Sequence, residues 1–187
     1  MAVNQFHALA RSGKLTGVPL TVADVMATDR FGGTVLVYAA AHGFLNQVEP
    51  ALITKETLLA RNSAVNGMSA LYAAALNGHL DQVPEEWLTV ENLTSRDNNG
   101  LTPLHAAARY GFLGQVPIDV LNKEALMMPA TNPPGLTPLA AAYYANKLTA
   151  VPLEALELCK KEILGSTLKT VGVLASAAFS KKAPELE

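Results

Sequence analysis

The sequence is poor in the features that announce most biochemical classes. It holds one cysteine, Cys159, among 187 residues, so no disulfide can form within the chain and a reducing compartment is expected. No basic run is present and the formal net charge is −2. That removes any global drive toward nucleic acid or an anionic membrane, and nucleic acid is not an expected partner. The opening stretch MAVNQFHALARSG lacks a basic region followed by an apolar run, so a secretory leader is not expected. The longest uncharged apolar tract near the end, TVGVLASAAFS at 170–180, is far short of the roughly 20 residues a membrane span needs. A membrane partner is therefore not expected, and the expected location is the cytoplasm.

Signatures of catalysis and metal binding are missing too. No phosphate loop, dinucleotide fingerprint, serine-hydrolase elbow or kinase set occurs. Gly32-Gly33 reads as a turn. His7, His42 and His79 have no cysteine or second histidine at a ligand spacing, so neither a metal nor a cofactor is expected. His105 stands without an acid and a nucleophile around it. Cys159 reads as packing, with Lys160 and Lys161 the only local reason to lower a thiol pKa. No catalytic residue can be named, and an enzyme is not expected.

What the chain does have is repetition. LTPLHAAARYGFLGQVP (101–117) is echoed by LTPLAAAYYANKLTAVP (136–152), MSALYAAALNGHLDQVP (68–84), TVLVYAAAHGFLNQVEP (34–50) and, more faintly, FHALARSGKLTGVP (6–19). The aligned positions Gly13, Gly43, Gly78, Gly111 and Asn146 are spaced by 30, 35, 33 and 35 residues. A period of that size is the mark of a stacked array. A second motif alternates with the first: LTVADVM, ITKETLL, LTVENLT and LNKEALM.

One unit can be read from local chemistry. DRFGG, AVNG, DNNG and NPPG are turn signals. Thr102-Pro103 and Thr137-Pro138 then start a helix, with threonine capping the free amides and proline at the first helical position. The helix stops at the aligned glycine or asparagine, which tolerate a left-handed cap. The following Q-V-P interrupts any continuation. A last short helix starts at Thr54/Glu56, Thr89/Glu91 and Asn122/Glu124, where the acid meets the positive helix end. Ala39, Ala40, Ala74, Ala75, Ala107, Ala108 and Ala142 are expected where one unit's first helix touches the next. No unit of this size buries its apolar face alone, so the units must stack.

The pattern D-x-x-G-x-T-P-L-H-x-A-A-x-x-G, met in full from Asp97 to Gly111, resembles the ankyrin repeat. The resemblance extends over about 4–160. The copy at 132–146 lacks the histidine and the terminal glycine, and the copy at 64–78 has MSALY in place of the signature. An ankyrin repeat continues into one longer second helix; here Q-V-P breaks it, which leaves the outer layer open. Tetratricopeptide arrays have a similar period but need two full helices and no glycine hairpin. The resulting expectation is an all-α fold: an α-solenoid of about five stacked helix-turn-helix repeats with hairpin-like turns. The repeat domain is placed at 1–165, with units near 4–29, 30–63, 64–96, 97–131 and 132–165. Residues 166–187 are expected to form a C-terminal capping helix and tail, with Leu168, Val171, Leu174, Ala175 and Ala178 at helical spacing; docking of a partner is the alternative for that segment.

The resemblance also implies a function and a site. The histidine of the signature, His105, should brace neighbouring hairpins. Family members bind proteins through a concave face built from hairpin tips and the outward positions of the first helix. By position the tips supply Arg30, Phe31, Val65, Asn66, Met68, Asn98, Asn99, Leu101, Pro133, Pro134 and Leu136. The helices supply Arg11, His42, Leu76, Asn77, Arg109, Tyr110 and Tyr144. Aromatic residues and arginines dominate interface hot spots. All five arginines (Arg11, Arg30, Arg61, Arg96, Arg109) fall in hairpins or first helices, while most acids fall in the second half of each unit. A mildly basic inner face and a protein partner with an acidic surface are expected. The implied molecule is a monomeric, non-enzymatic binding module. A structural or oligomer-forming unit is the main alternative, and an enzyme or small-ligand protein a lesser one.

Overall fold

The computed structural model describes residues 3–61 and 67–165, with side chains for 5–61 and 67–159. Among them the regular structure is helical, with one isolated bridge between Thr28 and Thr34. Val65 and Asn66, and the expected cap at 166–187, lie outside the described residues.

The first helices are α1 (Val3–Ser12), α3 (Val35–His42), α5 (Ala70–Asn77), α7 (Pro103–Tyr110) and α9 (Pro138–Tyr144). Each packs on the next in chain order, giving one continuous layer. Their starts follow the expected capping chemistry. The side chains of Thr34, Ser69, Thr102 and Thr137 accept from the amides of Val37, Tyr72, His105 and Ala140, satisfying donors a helix start leaves free. The stops follow the alignment. Gly78 ends α5 at φ 79°, a left-handed conformation that costs a residue with a Cβ. The other aligned positions also have positive φ, and Asn146 adopts 58° in the fifth unit.

The alanines lie between the helices. Ala39, Ala40, Ala74, Ala75, Ala107 and Ala142 are fully buried and Ala108 nearly so. Small side chains let the axes approach, and the leucines one turn earlier fill the remaining space. Leu36, Leu71 and Leu104 are completely buried, each worth about 1.5–3 kcal/mol of burial.

The outer layer is split rather than continuous. After each first helix from α3 onward comes a 3-10 turn: Leu45–Gln47, Leu80–Gln82, Leu113–Gln115 and Leu148–Ala150. Val83, Val116 and Val151 then adopt extended backbone, because the ring of a following proline disfavours the helical region. Only afterward does a second helix form: α2 (Val22–Met26), α4 (Lys55–Leu59), α6 (Val90–Leu93), α8 (Lys123–Leu126) and α10 (Leu153–Gly165). Thr21, Thr54, Thr89 and Asn122 cap the four short ones. The Q-V-P break thus converts one longer helix into a turn plus a stub.

The glutamine of that motif has its own function. Gln115 donates from Nε2 to the Gly78 carbonyl at 2.7 Å and accepts from the Leu80 amide at 3.1 Å. Gln82 donates to the Gly43 carbonyl at 2.8 Å, and Gln47 accepts from the Leu15 amide at 3.0 Å. Each glutamine therefore ties off the helix end of the preceding unit. Ala150 occupies this position in the fifth unit, so the ladder stops there.

Candidate functional site

The hairpins are held from within by acids and from neighbour to neighbour by longer side chains. Asp97 accepts from the amides of Asn99 and Leu101, both at 2.8 Å. Asp29 accepts from Phe31 at 2.9 Å and Gly33 at 3.1 Å. His105, buried, links one hairpin to the next. Its Nδ1 accepts from the Thr102 amide at 3.2 Å, so Nε2 carries the proton and donates to the Leu136 carbonyl at 2.9 Å. Burial holds its pKa below the ordinary histidine value, with neighbouring Arg96 acting in the same direction. His7 occupies the aligned position in the first unit and is bonded through Nε2 to the Ala27 carbonyl at 3.0 Å.

The structure divides the five arginines, all of them exposed, by what they bond. Arg11 is paired with Asp29 at 2.7 Å and lies 3.8 Å over the Tyr38 ring. Burial alone would raise the Asp29 carboxyl, but bonds from the Tyr38 hydroxyl, the Phe31 and Gly33 amides and Arg11 outweigh it and hold the group below the usual range. Arg61 reaches the Arg96 carbonyl, and Arg96 donates to the carbonyls of Gly100 at 3.1 Å and Pro129 at 2.8 Å. Those two arginines brace successive hairpins. A guanidinium carries five donors in a fixed fork, and carbonyls 35 and 33 residues further on were not visible as their acceptors in the sequence. Arg30, over Phe31 at 4.6 Å, and Arg109, 5.9 Å from the Tyr110 ring, have no ion pair among the described residues.

The remaining site candidates separate by exposure. Arg11, Arg30, Phe31, His42, Asn77, Asn98, Arg109, Tyr110, Pro133, Pro134 and Tyr144 are exposed. Met68, Leu76, Asn99, Leu101 and Leu136 are half-buried, and Met68, Leu76 and Leu136 pack on the core. Phe31, Tyr110 and Tyr144 are 52%, 46% and 74% exposed, so three large rings are held in water on hairpins and first helices.

Two depressions gather these residues. One, ≈ 210 Å³, is lined by His7, Arg11, Asp29, Arg30 and Phe31. The other, ≈ 440 Å³, runs between α7 and α9 and is lined by Arg109, Tyr110, Leu136, Ala141, Tyr144 and Ala145. Asn98 and His42 belong to neither. The part of Ala141 and Ala145 was missed at the sequence level, where small residues were assigned to packing alone. Among the described residues no group of His, Cys, Asp or Glu could hold a metal ion, and no helix is long and apolar enough to cross a membrane.

Stacked helix pairs, left-handed stops and histidine-braced hairpins define a helical repeat protein of the solenoid type. The family model for ankyrin repeats matches residues 57–118 as three copies, so that stretch consists of ankyrin repeats. Repeats of this kind generally mediate protein–protein interaction and are typically non-enzymatic. No curated protein matches the chain.

Proposed function

We propose that the chain is a non-enzymatic, monomeric protein-binding module whose repeat array, 1–165, engages its partner through the hairpin tips and the outward positions of the first helices. The observation that carries this reading is the exposure of Phe31, Tyr110 and Tyr144 on those elements, two of them directly beside an arginine. Large rings next to guanidinium groups are the side chains on which interface energy concentrates. Arg30 and Arg109, without an ion pair among the described residues, support a partner with an acidic surface, because complementary charge speeds encounter and excludes like-charged competitors.

The test starts from a partner recovered from the source cell and identified. Its affinity is then measured against the chain carrying Arg109→Ala and Tyr110→Ala, and separately against Glu86→Ala. The double change should leave the melting curve in place and abolish tight binding, while Glu86→Ala should be neutral. Weakening by Glu86→Ala alone would place the contact on the other side of the array.

A further inference from the structure

We infer that the groove between α7 and α9 is a docking site for a short linear segment of another protein, one that inserts an aliphatic side chain and carries an aspartate or glutamate beside it. The inference rests on the binding-face reading above and narrows it from a broad surface to one groove and one ligand chemistry.

The groove has a mixed lining: Leu136, Ala141 and Ala145 are aliphatic, Tyr110 and Tyr144 aromatic, and Arg109 cationic. Ala145, the residue that follows α9, aligns with His42, Asn77 and Tyr110, the last residues of α3, α5 and α7. Alanine at 145 contributes only a methyl group to the lining, where the aligned residues carry larger side chains. At ≈ 440 Å³ the groove falls in the range of roughly 300–1,000 Å³ typical of sites that enclose small ligands. It is large enough for a few side chains of an extended segment and too small to seat a helix or a folded domain.

The charge at the rim selects the rest of the ligand. Among the described residues Arg109 is the single charged one that lines the groove, and it has no ion pair there. Its planar fork matches a carboxylate in two parallel bonds. Among the described residues no acid lines the cleft, so none of them competes there for the guanidinium. Tyr110 and Tyr144 add hydroxyls able to bond the backbone of an extended chain, and Tyr144 is oriented by its contact with the Tyr143 ring at 5.1 Å. Leu136 and the two alanines offer no polar group and favour an aliphatic insert.

Three matched pools of fluorescently labelled short peptides, titrated against the full chain, test this. The first pool carries Leu or Ile beside Asp or Glu in a Gly/Ser background. The second replaces the acid by Lys, and the third replaces the aliphatic residue by Ser. The first pool should bind about tenfold more tightly than either of the others, a hot-spot-sized difference. Tyr144→Ala should weaken that pool by a similar factor, Glu86→Ala should leave it unchanged, and Arg109→Glu should reverse the preference toward the lysine pool. All of these side chains are exposed, so the melting temperature should stay put in every variant. Equal binding of the pools, no binding of any pool, or an unreversed preference in Arg109→Glu would overturn the inference. If the peptides fail while an identified folded partner still loses affinity on Arg109→Ala/Tyr110→Ala, the broader binding face stands without the groove.

Discussion

The two ends of the hairpin-side surface use the same residue types in opposite ways. At the N-terminal end Arg11, Tyr38 and Asp29 bond one another, with Arg11 stacked on Tyr38 and both donating to the same carboxylate. Between α7 and α9 Arg109, Tyr110 and Tyr144 are exposed around a cleft that no acid lines among the described residues. An arginine–tyrosine pair is therefore open to a partner only where no nearby carboxylate has already taken it. Arg11 and Tyr38 tie units one and two together through Asp29, while Arg109 has no ion pair among the described residues.

The sharpest way to break this contrast is Asp29→Ala. It would strand a tyrosine hydroxyl, a guanidinium and two amides, and should cost about 2–3 kcal/mol in urea unfolding. Arg109→Ala should stay within about 0.5 kcal/mol of the parent chain. Comparable losses at both positions would erase the distinction. Next in size, Ala107→Leu at the seam beneath the cleft should overpack α7 and cost about 1–3 kcal/mol; an unchanged unfolding midpoint would contradict the tight helix layer.

A smaller effect sharpens the electrostatic side. The association rate of an acidic partner should fall as salt rises, and Arg109→Gln should lower the low-salt rate by about two- to threefold. Stopped-flow rates that ignore both would remove charge from the recognition step. The smallest expected effect is on pH. Because the folded-state pKa of His105 is lowered by burial, the unfolded chain binds the extra proton first. Its stabilising contribution is complete above the unfolded value of about 6.5 and is lost as pH falls below it. The Asp29 carboxyl, held low, contributes above the unfolded aspartate value of about 3.9 and is lost only at more acid pH. Thermal melts between pH 7 and 5 should show a slight decline that His105→Gln removes; a flat profile in the parent chain would count against the buried neutral histidine.

Much of the fold was legible in the order of residues. The aligned glycines and Asn146 end their helices in the left-handed region, and the threonines and Ser69 cap as their positions required. The proline of Q-V-P was readable as a break, while its glutamine was not, since the carbonyl it binds lies 37 residues earlier in the case of Gln115 and Gly78. The acceptors of the arginines were not legible for a related reason. Arg61 and Arg96 are exposed cations, and they also reach backbone carbonyls one hairpin further on.

The sequence by itself determined the unit: its period, its helix starts and stops, and the small residues along its seam. Those features depend on chemistry within four or five residues, where capping bonds and backbone angles are settled locally. Only the tertiary structure decided which polar side chains were already spent. A guanidinium such as Arg11 or Arg109 looks the same in the chain, and its availability depends on whether stacking brings a carboxylate within bonding distance. The cleft over Ala141 and Ala145 was decided in the same way, because an empty volume is bounded by two units at once and belongs to the sequence of neither.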